Sequence, residues 1–168
     1  MTLVPPVKVW LATTPTDFAA VVRLKIKLLK LYPEAFTASP EKVSFAENDS
    51  VAFLAQGAKD TEPAGLAIVD HFLDNPRLAH VATIDLIGVL PERAGQGLGE
   101  KLMKEVLDFA RRQKITRLDL WVMADQERAV KFYEKFGFTR EAIAARSAQR
   151  PDGTFQDAVL MVLGKEHP

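Results

Sequence analysis

A mixed α/β (α+β) fold is predicted by three observations. Apolar runs of strand length outnumber helical stretches. They do not alternate regularly with helices, as a doubly wound fold would require. One of them, "ATIDLIGVL", passes directly through the glycine-rich turn "PERAGQGLGEKL" into a helical pattern. The 168 residues suit one domain, 1–168, with room for a sizeable core.

"VKVWLA" reads as the first strand. A helix follows, with Thr14 as N-cap, Pro15 at its first position, and Phe18, Val22, Ile26 and Leu29 at helical spacing before Pro33 ends it. Its basic residues Arg23, Lys25, Lys27 and Lys30 read as a solvated face, with an anion site as the alternative. "TASPEKVSFAEN" reads as a short second helix started by Ser39 and Pro40. "VAFLAQG" and "AGLAIVDHF" flank a turn-rich segment and predict a hairpin. "HVATIDLIGVL" is the next strand. Beyond the glycines, Leu98, Leu102, Met103, Val106, Leu107 and Ala110 form one helical face. "RLDLWVM" is a strand, and "DQERAVKFYEKF" a helix stopped by Gly137 as C′ residue. "DAVLMVL" is the closing strand.

Composition narrows the function classes. Lys+Arg and Asp+Glu are both 22, which gives no bias toward a long polyanion, so a nucleic-acid partner is not expected. The absence of cysteine removes disulfides, thiolate metal sites and a cysteine nucleophile. His71, His80 and His167 are too scattered to read as a metal set, so no metal is expected. No signal peptide and no membrane-spanning run is read, which makes a cytoplasmic protein without membrane association the expectation.

The glycine turn carries the first functional signal. The leading amides of a helix have no partner inside it, and with the helix dipole they make an anion site. Glycine lets phosphate approach the backbone closely. The dinucleotide fingerprint fails, because Glu100 stands where its third glycine belongs, and no G-K-[ST] follows to make a P-loop. A tight turn with close helix–strand packing is the alternative for the glycines alone.

Downstream, "QERAVKFYEKFGF" joins this turn. Gly97 and Gly99 match the glycines of the [QR]-x-x-G-x-[GA] loop of the GNAT superfamily of acetyl-CoA-dependent N-acetyltransferases, and Ala129, Phe132, Tyr133, Gly137 and Phe138 match its later motif. "V-L-P" at Val89–Pro91, "YPEAF" at Tyr32–Phe36 and "QDAVLMVL" are similar to segments of small GNAT proteins. The resemblance covers almost the whole chain. At two positions it departs: Ala94 stands at the head of the loop in place of Gln or Arg, with Arg93 one residue early, and Gln126 replaces the second motif's Asn.

The resemblance implies a GNAT fold: a central mixed, mostly antiparallel sheet with a splayed central strand pair, and helices on both faces. It implies acetyl-CoA as cosubstrate, with Val89, Leu90, Arg93, Gly95, Gln96, Gly97, Leu98, Gly99, Gln126 and Ala129 as the cofactor-binding set. The gap would lie between "IDLIGVL" and "LDLWVM", with Gly88 suited to a bulge or close approach. The amide of Val89 would polarise the acetyl carbonyl.

Asp85, in an otherwise apolar strand, is the candidate base that deprotonates the acceptor amine; its alternative is a sheet-face carboxylate with a structural partner. Tyr133 matches the family's general acid for the departing thiolate; its alternative is core packing. Trp121 reads as a core residue. His80 reads as a surface or capping residue.

The expected activity is acetyl transfer to a primary amine of a small molecule or peptide, by direct attack in a ternary complex. The rival is an inactive acyl-CoA-binding or protein-interaction module on the same fold. Dimers among relatives make a homodimer an expectation as well. The acceptor would be shaped by the first two helices, the loop "HFLDNPRLAH" and the segment "RSAQRPDGTFQD".

Overall fold

The computed structural model describes residues 6–43, 45 and 48–164. Seven strands form one sheet: β1 (Lys8–Leu11), β2 (Ser50–Gln56), β3 (Gly65–His71), β4 (Val81–Val89), β5 (Arg117–Met123), β6 (Thr139–Gln149) and β7 (Phe155–Gly164). Their spatial order is β1-β2-β3-β4-β5-β7-β6. Every neighbouring pair is antiparallel except β4 and β5, which run parallel. The helices are α1 (Pro15–Leu31), α2 (Leu98–Arg112) and α3 (Glu127–Lys135).

Helix α1 starts where its capping signal predicts. Thr14 Oγ1 accepts from the Asp17 amide, and the Asp17 carboxylate accepts from the Thr14 amide, a complete capping box. Its buried face is Ala20, Val21, Leu24, Leu28 and Leu29. The stripe expected through Phe18, Val22 and Ile26 is only half-buried, because so many apolar residues crowd this helix that two adjacent stripes compete.

The helices cover opposite faces of the sheet, and two glycines show it. A Cβ on Gly65 would meet Leu102 and Leu98 of α2, whereas a Cβ on Gly88 would lie 3.1 Å from Leu28 of α1. Gly65 is paired with Val89, so Gly88 points to the other side. Strands β3 and β2 supply a shared core from both faces, with Phe53, Leu54, Leu66 and Ile68 almost fully buried.

Two sequence expectations are corrected. The second helix is only a 3₁₀ turn, Pro40–Lys42; Ser44, Ala46 and Glu47 of that segment lie outside the described residues. Residues 139–149, to which the sequence gives no element, form the longest strand, β6. It lies at the sheet edge, hydrogen-bonded only to β7, and is exposed along most of both faces. It therefore carries no apolar alternation to betray it.

Candidate active site

Strands β4 and β5 part company midway. Their ladder holds Val81–Thr83 against Arg117–Asp119 and stops there, while both strands continue. The last rung is fastened by Thr83 Oγ1, which donates to Asp119 Oδ1 at 2.7 Å. Arg117 braces it by bonding Asp119 and, through both terminal nitrogens, Glu141. Beyond the rung a gap opens at the carboxyl ends of two adjacent strands, the splay expected between "IDLIGVL" and "LDLWVM".

The β4 wall of the gap presents backbone. The Leu90 amide donates to Ala64 of the β3 side at 2.8 Å. Strand alternation then turns the amide and carbonyl of Val89 away from β3, into the gap. The Tyr32 hydroxyl reaches the Val89 carbonyl at 3.3 Å, so the end of α1 caps this wall. Leu90 itself is corrected as a ligand-binding residue: its amide is taken and its side chain is buried.

The gap leads to the glycine turn. After a 3₁₀ turn, Pro91–Arg93, the Ala94 amide closes onto Pro91. Gly95 (φ +76°) and Gly97 (φ +84°) are left-handed, and α2 begins at Leu98 with Gly97 as N-cap. A Cβ at either position would meet nothing within 4 Å, so packing does not demand glycine there; the backbone conformation does. Among the described residues the amides of Gly95, Gln96, Gly97, Leu98, Gly99 and Glu100 find no acceptor in the protein. This run of amides around left-handed glycines, at the positive end of a 15-residue helix, is an open anion cradle. Leu98 contributes through its amide alone, since its side chain is buried in the core. Gly99 has room for a methyl, which would sit 3.8 Å from Phe132 and Val89.

Arg93 is corrected. Its Nε bonds both Asp60 oxygens at 2.7 and 2.9 Å, and its Nη2 bonds Asp60 as well. The guanidinium pins the β2–β3 turn and is spent there. Gln126 is the N-cap of α3 and makes no capping bond with its side chain, which leaves that amide available. Ala129 is half-buried on the same helix.

On the α1 face, Asp85 is the extra residue of a β-bulge: Ile68 pairs with Leu86 and Val69 with Ile84. The bulge falls at Asp85 and not at Gly88, whose missing side chain serves close packing of Leu28. Asp85 Oδ2 meets the Lys25 ammonium at 2.7 Å, with the Lys25 side chain 16% exposed. Lys25 is thus no solvated surface cation; it is a primary ammonium held on the candidate base. Both line a cavity of about 560 Å³ with Asp49, Ser50, Asp70, His71, Phe45, Phe72 and Ile68. Burial pushes the Asp70 carboxyl up, the Asp85 charge adds to that, and the Ser50 hydroxyl, donating at 2.6 Å, opposes it. Lys25, Tyr32, Asp70 and Trp121 were not singled out as site residues in the sequence. The only signal was "YPEAF" for Tyr32; the other three depend on long-range pairing.

Tyr133 is nine-tenths buried on α3, edge-on to Phe132 and Phe138. Burial pushes its phenol above the ordinary tyrosine value, so it holds its proton more tightly than an exposed tyrosine would. Trp121 is also corrected: it is 53% exposed, not core. Gln156 donates to the Glu34 carbonyl and to Asp125, and Arg150 bonds Asp125. The segment after α1 is thereby tied to the far side of the gap.

A sequence model of the acetyltransferase (GNAT) family matches residues 22–138, more than half of the chain. The chain belongs to this family. Among curated relatives, the GNAT chain is 36% identical over 112 residues to a streptothricin acetyltransferase of Streptomyces lavendulae, covering 66% of this chain and 57% of that enzyme. It is 31% identical over 121 residues to the ribosomal protein bS18-alanine N-acetyltransferase of Escherichia coli, covering 71% and 77%. The GNAT fold is matched by the crystal structure of the S18-alanine enzyme from Escherichia coli, with TM-score 0.72, 25% identity, and 95% and 94% of the two chains covered. A GCN5-related N-acetyltransferase from Kribbella flavida matches with TM-score 0.77 and 20% identity over 94% and 97%. A Salmonella typhimurium protein solved with its cofactor acetyl-CoA matches with TM-score 0.76 and 16% identity over 95% and 94%.

Proposed function

We propose that this protein transfers acetyl from acetyl-CoA to a primary amine, by direct attack in a ternary complex. One observation carries the reading: the β4–β5 ladder stops at Thr83 and Asp119, and β4 then leads past the Val89 amide into an open anion cradle. A thioester arm with a pyrophosphate tail fits that continuity of backbone donors. Acetyl-CoA would supply the activated acetyl group there, and membership of the family favours it.

The chain's own residues divide the work. Amides from Gly95 to Glu100 hold the pyrophosphate, with the Gln126 side chain and the Ala129 surface beside them. The Val89 amide donates to the oxygen that gains charge during attack. Asp85 takes the proton from the acceptor ammonium, which occupies the place of Lys25 beside it. Tyr133 donates a hydrogen bond to the departing sulfur; because its proton is tightly held, it stabilises the thiolate as a neutral donor more than it surrenders the proton. The relatives named above act on streptothricin and on the alanine of a ribosomal protein, both consistent with an amine acceptor.

Calorimetric titration with acetyl-CoA, desulfo-CoA and pantetheine tests the cradle. The expected outcome is micromolar binding that collapses when the nucleotide phosphates are absent. Release of free CoA with a panel of amines then tests turnover. Binding without turnover on any amine would leave the acyl-CoA-binding module as the correct reading, and no binding at millimolar cofactor would remove both.

A further inference from the structure

Among the described residues Trp121 is the most exposed of the large aromatics, ahead of Phe72 and Phe155, and its place in the sheet puts it beside the gap. Its position follows from the register. Thr83 and Asp119 are partners at the last β4–β5 rung and bond through their side chains, so they share a face. Trp121, two residues on, shares it too. Thr83 is also paired with Asp70, which lines the cavity on the α1 side, and Asp85 reaches α1 through Lys25. Asp85 and Trp121 therefore stand on the same face, each two residues past the last rung, one on each wall of the gap. Among the described residues no cation or aromatic ring packs on the indole, and it is 53% exposed.

The charge of the cavity indicates what the indole meets. Asp49, Asp70 and Asp85 face one ammonium, Lys25, in a space of about 560 Å³. An incoming ammonium displaces Lys25 from Asp85 toward one of the other two carboxylates, and one carboxylate still lacks an ammonium partner. Resting on the acetyltransferase reading, we infer that Trp121 is an acceptor-binding residue and that the acceptor is an aliphatic amine carrying a second positive charge. The indole face covers the alkylammonium stem on the β5 side, by cation–π attraction and apolar contact, and holds the reacting nitrogen at Asp85. Asp70 and Asp49 take the second charge on the β3 side. A peptide presenting one α-amine would use the first contact and leave the second empty.

The test uses fluorescence, so it does not depend on turnover. The chain contains two tryptophans, and Trp10 lies in edge strand β1, separated from β5 by β2, β3 and β4. In a Trp10→Phe protein Trp121 is the sole indole. Spermidine should change its emission saturably and bind at least about tenfold more tightly than n-butylamine or an alanine-led peptide, at matched ionic strength. Asp70→Asn should erase that preference. With acetyl-CoA present, Trp121→Ala should raise the spermidine KM about tenfold, leave acetyl-CoA binding unchanged, and be rescued by Trp121→Phe. No emission change with millimolar spermidine, equal affinity for n-butylamine, or an unaltered KM in Trp121→Ala would overturn the inference. The two readings fail separately. Monoamine turnover without indole perturbation keeps the acetyltransferase and removes this site; spermidine binding without CoA release does the reverse.

Discussion

Gly88 couples the packing of α1 to the strand that carries the Val89 amide, and substituting it probes that coupling. A Cβ at Gly88 would stand 3.1 and 3.2 Å from the two Leu28 methyls, closer than ordinary contact, and Leu28 is fully buried. Gly88 is not in the left-handed region, so valine meets no backbone penalty and the cost is overpacking, about 2 kcal/mol. Leu28→Ala alone opens a cavity and costs about 3 kcal/mol. In the double variant the valine methyls enter the space that Leu28 vacates. The pair should then cost about 3 kcal/mol, against about 5 if the effects simply added. At this chain length 2 kcal/mol corresponds to about 4–8 °C in Tm. Urea unfolding of the four proteins reads the cycle. Additive losses would show that β4 and α1 do not press on each other at this point. Catalysis gives a second readout: Gly88→Val should lower kcat more than acetyl-CoA affinity, because it displaces the Val89 amide and leaves the cradle in place.

Three further outcomes are expected. Gly97→Ala keeps open space around its methyl but must hold φ near +84°, costing about 1 kcal/mol of stability and weakening acetyl-CoA binding in calorimetry, whereas Gly99→Ala should leave stability within about 0.5 kcal/mol. Tyr133→Phe should lower kcat with the acetyl-CoA Kd unchanged. Burial raises the folded-state phenol above its unfolded value, so stability is complete below about pH 10 and falls above it as the unfolded chain alone ionises; denaturation series at pH 9 and 11 should show a fall in the wild type that is smaller in Tyr133→Phe. Asp17 is held at about 2 by the Trp10 indole first, then by the Thr13 and Thr14 groups, so its contribution is present above 3.8 and lost as pH falls toward 2. Tryptophan emission followed through acid titration should report release of Trp10 in that window, and an Asp17→Asn protein should show no such transition.

Sequence by itself determined most of the fold and the backbone conformation of the glycine turn. The reason is that these features are local. Thr14 and Asp17 cap their own helix. Gly95 and Gly97 impose their own φ, and Gly137 (φ +94°) ends α3 where its position predicts. The buried strands β2, β3, β4 and β7 announce themselves because burial demands apolar runs. The glycine turn and the "QERAVKFYEKFGF" motif together sufficed for the family. Edge strand β6 gave no signal because nothing buries it, and Trp121 read as core because an apolar neighbourhood in sequence does not say which face is left uncovered.

Tertiary structure decided how the side chains are spent. Arg93 stands beside the glycine turn in sequence, yet Asp60, brought in by the β2–β3 hairpin, claims it. Lys25 looked like one solvated lysine among four basic residues, until the register of β3 on β4 raised a bulge that lifts Asp85 to it. Partners separated by 33 and 60 residues are chosen by strand register and by how α1 lies on the sheet, and neither is written in any short stretch of the chain.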